Sequence, residues 1–151
     1  MKCIFAIFIA LALSPIAAHA AEPIASVQDF ESQYIKCFES AFANRCWSLA
    51  IKAHLTPAAQ KPEQAAAITE TAFLNWVAGH KVYRVYKGIS ENKAEIYDQR
   101  SYAIERDDGE VMAVWIGLRR LLGQWYLQRV SASSSDEFIA SALRINSPES
   151  K

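Results

Sequence analysis

The spacing of apolar residues changes once along this chain, and that change limits what it can fold into. Up to about residue 78 the apolar side chains recur every three or four positions; from Lys81 onward they recur every second position. The first period marks one face of a helix and the second one face of a strand. Helices first and strands after is the order of an α+β domain, with helices packed on an antiparallel sheet, and not the alternation of a βαβ fold.

In the helical half, Ser26-Val27-Gln28-Asp29 is a capping-box-like start with Asp in place of Glu. Val27, Phe30, Tyr34, Cys37, Phe38 and Ala41 then form one stripe. A second helix is predicted over about residues 45–55, with Trp47, Ala50, Ile51 and His54 at helical spacing. Thr56-Pro57 reads as an N-cap followed by a first-turn proline, and Lys61-Pro62 interrupts. The third helix is expected over 63–78, on a stripe of Ala65, Ile68, Ala72 and Trp76 with Phe73 and Val77 beside it, and Gly79 stops it.

In the strand half, 82–87 reads as a strand, 88–92 as a turn, and 93–106 as one long strand with a bend. Asp107-Asp108-Gly109 is a hairpin signal. Residues 110–120 are apolar on both faces, Val111, Ala113 and Trp115 on one, Met112, Val114, Ile116 and Leu118 on the other. Such a strand is central and covered on both sides, and Gly117 within it marks a bend or bulge. Gly123-Gln124 turns into a strand over 125–131. Ser135 then caps a short helix over 136–144, carrying Phe138, Ile139, Ala142 and Leu143. The predicted architecture is three N-terminal helices on a curved antiparallel sheet of about four strands, closed by a short C-terminal helix.

The N-terminus reads as a signal peptide over residues 1–20. Lys2 precedes an unbroken apolar run from Ile4 to Leu13, Ser14-Pro15 breaks it, and Ala18-His19-Ala20 has the small-x-small pattern of a cleavage site. Ten apolar residues fall short of the roughly 20 a bilayer-spanning helix needs. Residues 21–145 then form a single domain, and 146–151 a disordered tail. Without Lys2 the mature chain has 15 basic and 16 acidic side chains. That balance lacks the basic face of a nucleic-acid binder.

Cys3 leaves with the signal, and Cys37 and Cys46 remain. An even count in an exported chain points to a disulfide. In one straight helix nine residues span about 13.5 Å, whereas a bridge needs Cα atoms within about 7 Å. Either the chain turns back between them, with Asn44 a suitable left-handed residue, or the two are buried free thiols. The bridge is the expectation.

This element order resembles the NTF2-like superfamily, the cystatin-like α+β cone. The local pieces that carry the resemblance are Trp76-Val77 running into Val82-Tyr-Arg-Val-Tyr86, then Asp108-Gly109, then Gly123-Gln-Trp-Tyr-Leu127. The C-terminal helix departs from the pattern. The resemblance implies a conical fold with a pocket between sheet and helices, and sheet-to-sheet dimers. It implies no single activity, because members include enzymes, binding modules and assembly domains.

Enzymatic members that isomerise steroids use a general-base Asp with tyrosine or acid donors. Asp98, between Tyr97 and Tyr102, is the nearest counterpart, and His54 is the other weak catalytic candidate; no family motif aligns with either. His54 and His80 have no partner at metal-ligand spacing, so no metal site and no cofactor are expected. Seven large rings, Tyr34, Phe38, Trp47, Phe73, Trp76, Trp115 and Trp125, either fill the core or line an apolar ligand pocket. Leu118-Arg-Arg-Leu-Leu122 at a hairpin end either folds back under the last helix or touches a membrane or partner. The expected function is an exported, periplasmic or secreted, non-catalytic binding or assembly module using an apolar cone or sheet face. Its partners would be a small apolar ligand, an unidentified protein or a second copy through the sheet. The alternative is a small enzyme of isomerase or dehydratase type.

Overall fold

The computed structural model describes residues 21–56 and 62–144. The expected signal peptide, the Pro57 helix start and the C-terminal tail lie outside the described residues. Among the described residues the fold is α+β, four α-helices and one four-stranded antiparallel sheet in the order β1-β2-β3-β4.

Helix α1 spans Val27–Glu39, and the Ser26 hydroxyl accepts from the Asp29 N–H at its start. Replacing such a cap by Ala costs about 0.5–2 kcal/mol. The chain then reverses through left-handed conformations at Ala41, Phe42, Asn44 and Arg45. The reversal brings Cys37 and Cys46 to a Cα separation of 5.5 Å, joined as a disulfide. Helix α2, Cys46–Lys52, is shorter than the predicted 45–55. Its first turn has no side-chain cap of its own; the buried Glu70 carboxylate of α3 accepts from the Ser48 N–H and, at 2.6 Å, from the Ser48 hydroxyl. A carboxylate there satisfies orphan donors and meets the positive end of the helix dipole. Helix α3 spans Pro62–Val77.

The strands are β1 (Val82–Lys93), β2 (Tyr97–Arg106), β3 (Val111–Leu121) and β4 (Gln124–Ser133). The turn predicted at 88–92 is instead part of β1, and the chain reverses at 94–96. Gly88 makes a bulge in place of a turn. Ladder pairing slips by one residue between Lys87 and Ser90, and the Ser101 hydroxyl accepts from the Ile89 N–H at 2.7 Å. A second slip leaves Tyr83 as the extra residue near the start of β1. The bulge expected at Gly117 is present: pairing shifts between Gly117 and Leu118, with Gln128 the extra residue on β4. The outer edge of β4 is covered by bridges to Ile24 and Leu55.

Strand β3 is central and covered on both faces, as its sequence requires. Val114, Ile116 and Leu118 are fully buried beneath the helices. Trp115 points to the opposite face, over which α4 (Asp136–Leu143) packs against β1, β2 and β3. The C-terminal end of α4 sits directly on Gly88, where a Cβ would lie 2.6 Å from the Ala142 carbonyl oxygen. Leu118 joins the core and Leu121 is half-buried. Leu122 stands fully exposed with φ +50° in the two-residue turn before β4. It does not fold back under α4.

Candidate functional site

Four of the seven rings that would fill the core or line a pocket, Tyr34, Phe38, Trp47 and Phe73, are fully buried against one another and against Phe42. Phe38 stacks on Trp47 with centroids 5.4 Å apart, Phe42 stacks on Phe73 at 4.5 Å, and Trp47 meets Phe73 edge to face at 4.9 Å. These rings fill the cone by packing on each other, so at these positions the apolar cavity is replaced by a close-packed core. The α1 stripe and the α2–α3 pair converge on the same spot, so large side chains from three helices meet there. Trp76 lies half-buried under the Arg106 guanidinium, 5.1 Å from its ring centroid. Trp125 is half-buried near the Ile24 bridge. Trp115 lies on the other side of the sheet.

Beside the rings is a polar chain that the sequence did not reveal. Period two puts Asp98, Arg100 and Tyr102 of β2 on one face, turned toward α1. The Tyr102 hydroxyl donates to one oxygen of Glu31, and Arg100 donates to the other. Arg100 also donates to Asp98, from Nε to Oδ1 at 2.8 Å and from its terminal nitrogen to Oδ2 at 3.4 Å. Burial, opposed by the Tyr102 hydrogen bond, pushes the Tyr34 hydroxyl well above the ordinary tyrosine range. Burial, the neighbouring Tyr34 and the bond to Glu31 do the same for Tyr102. Burial works to lower Arg100, but its bond to Asp98 and the nearby acids outweigh it and raise it. The visible signal was Asp98 and Arg100 at alternate positions of one strand; Glu31, which Arg100 and Tyr102 meet, is 69 and 71 residues away from them in sequence.

Both catalytic candidates are engaged in this framework. Asp98 is buried with both oxygens on Arg100. His54 follows α2, its Nδ1 lies 2.9 Å from the Glu22 carbonyl, and its ring meets Phe30 edge to face. At the β2–β3 hairpin His80, Asp107 and Asp108 approach one another, with His80 Nδ1 3.0 Å from Asp107. Arg106 donates to both oxygens of Asp108, holding its carboxyl below the usual carboxylate range, and so occupies the place a cation would take.

The outer face of the sheet carries a cleft of about 260 Å³ beneath α4. Its floor is two neighbouring rungs of the ladder. One rung is Gln99, Gly117 and Arg129; the other contributes Trp115 and Ser131. Tyr97 forms one wall, and Phe138 and Ser141 of α4 form the roof. The Tyr97 hydroxyl lies over Gly117, 2.6 Å from where a Cβ would stand. Arg129 donates from Nε to the Ser131 hydroxyl at 3.0 Å. The Trp115 Nε1–H is buried and has no acceptor among the described residues. Of these residues, sequence reasoning had singled out only Trp115 as a site residue.

No family model matches the chain, and no curated protein matches it in sequence. Among solved structures it is similar to the crystal structure of a DUF4783 family protein from Bacteroides ovatus. The two are 13% identical with a TM-score of 0.46, over 67% of this chain and 91% of that one. Among the described residues no helix is long and apolar enough to cross a membrane.

Proposed function

We propose that the protein is an exported binding module of the NTF2-like type that takes a small ligand on the outer face of its sheet, beneath α4, and performs no chemistry on it. The observation that carries this reading is where hydrogen-bonding capacity is left over. Inside the cone, Tyr34, Tyr102, Glu31, Arg100 and Asp98 satisfy one another, and the two tyrosines are essentially inaccessible. Two buried indole N–H groups, those of Trp47 in the cone and Trp115 of the outer face, have no acceptor among the described residues, and in the cleft the Tyr97 hydroxyl and Gln99 amide bond to no described side chain. Polar groups that line a cleft without a protein partner are free to fix the orientation of a ligand. The Cys37–Cys46 disulfide suits an oxidising compartment outside the cytosol.

The isomerase alternative asks for an accessible base inside the cone, whereas Asp98 is clamped by Arg100 beneath α1. Native mass spectrometry of protein purified from the exported fraction tests the reading. A small-molecule adduct is expected on the wild type and absent from Gly117→Leu, whose side chain would push Tyr97 off the floor and into the cleft. A bare polypeptide mass in both proteins overturns the proposal. Turnover of an unsaturated ketone that depends on Asp98 would replace it with the enzyme.

A further inference from the structure

Taking the binding reading above as its basis, we infer that the ligand is a small planar organic carboxylate, an aromatic acid of about one ring. The polar groups around the cleft are biased toward donation. They are the Arg129 guanidinium, which can only donate, and the Tyr97 hydroxyl, the Gln99 amide and the Ser141 hydroxyl, which can donate, and no carboxylate lines the space. Arg129 forms no ion pair among the described residues; its Nε is held by Ser131, which fixes the plane of the guanidinium and leaves the terminal nitrogens to a ligand. A planar fork of this kind matches the two oxygens of a carboxylate. The cleft offers one guanidinium, with no lysine beside it, which suits a singly charged group better than a phosphate.

The rest of the lining asks for a flat apolar body. Trp115 and Tyr97 on the sheet side and Phe138 on the helix side bound the space. Gly117 lets the Tyr97 hydroxyl lie close over the rung between Gln99 and Arg129, so the tyrosine ring itself bounds the space. At about 260 Å³ the cleft is smaller than the roughly 300 Å³ at which pockets for drug-sized molecules begin, so one ring is the natural size.

Calorimetric titration of the wild-type protein with benzoate, benzamide and inorganic phosphate tests the class. Benzoate should bind saturably and at least about tenfold more tightly than benzamide, since a charge-assisted bond to arginine is worth that factor or more. Arg129→Gln should remove the preference for benzoate while the melting temperature holds, because Arg129 is exposed and holds only Ser131. Equal affinity for benzoate and benzamide, an unchanged preference in Arg129→Gln, or phosphate competing as well as benzoate would each overturn the carboxylate assignment. If neither benzoate nor benzamide binds a protein that still carries a native adduct, the ligand class is wrong and the binding reading stands. If no adduct is carried either, both fall.

Discussion

The hydroxyls of Tyr34 and Tyr102 share a hydrogen bond of 2.8 Å between rings set edge to face, with centroids 5.4 Å apart. Tyr102 gives its proton to Glu31, so Tyr34 must be the donor to Tyr102. The direction of the whole chain follows: Tyr34 to Tyr102 to Glu31, with Arg100 donating to both Glu31 and Asp98.

Alkaline pH tests this arrangement. Both hydroxyls are raised above the ordinary tyrosine value of about 10, chiefly by burial. An acid whose pKa is raised by folding keeps its proton in the folded state while the unfolded chain loses it. The stabilising effect is therefore full below about pH 10 and declines as pH rises above that value. Tyrosinate absorbance should climb in two stages, the second coinciding with loss of the far-ultraviolet circular dichroism. Tyr34→Phe and Tyr102→Phe should each shrink the second stage. A single stage completed by folded protein would contradict the structure.

Arg100 is the centre of the buried charges, with its side chain 12% exposed and those of Asp98 and Glu31 9% and 14% exposed. Arg100→Ala leaves Asp98 without its cation and Glu31 with only Lys87, 3.5 Å away, and should cost about 3–5 kcal/mol. Urea denaturation measures this. A loss below about 1 kcal/mol would place the group in solvent.

The parts of the architecture legible in the sequence were those with a local cause. The period change near Gly79, the two apolar faces of β3 and the Ser26 and Ser135 caps depend on neighbours a few positions apart. The Cys37–Cys46 spacing likewise demanded a reversal wherever it lay. The polar chain was not legible because Arg100 meets Glu31 across 69 residues. The length of β1 was misread because a glycine that reads locally as a turn is here a close approach to a helix more than 50 residues away. The ring list was legible, but whether rings surround a space or fill it depends on three helices meeting.

Gly88 is the contact on which α4 rests. A Cβ there would stand 2.5 Å from the Ser101 hydroxyl and 2.6 Å from the Ala142 carbonyl. Gly88→Ala should lift the end of α4 and cost about 1–3 kcal/mol, as overpacking does. Deleting 136–151 should uncover Trp115 and its neighbours, increasing dye binding and either promoting dimers through the sheet or lowering solubility. Light scattering after size exclusion reads the outcome. A truncated protein that stays monomeric, soluble and equally stable would show that the helix covers nothing of consequence.

The disulfide closes a short loop between α1 and α2. In the chain-entropy account it should contribute roughly 2.5–3 kcal/mol, less any strain. Thiol labelling of the denatured, unreduced protein should modify neither Cys37 nor Cys46. Reduction should lower the melting temperature, and two labelled cysteines without reductant would rule the bridge out.

Leu122 holds a left-handed backbone and buries nothing. Asparagine adopts that turn conformation more readily. Leu122→Asn should therefore raise stability by up to about 1 kcal/mol, part of the roughly 1–2 kcal/mol that the left-handed conformation costs an ordinary L-residue. Chemical denaturation is the measure, and a loss of stability would mean the leucine makes a contact within the chain.

The two borders of the sheet differ, and the difference bears on self-association. One is capped by Ile24 and Leu55; the other, β1, lies open along twelve residues. An open strand of that length is a template on which another copy can grow. Here the template is defective. The extra residues at Tyr83 and Gly88–Ile89 break the regular repeat of donors and acceptors, and Lys81, Arg84, Lys87 and Lys93 put like charges along it. The protein thus keeps its longest exposed border unfit for seeding fibrils.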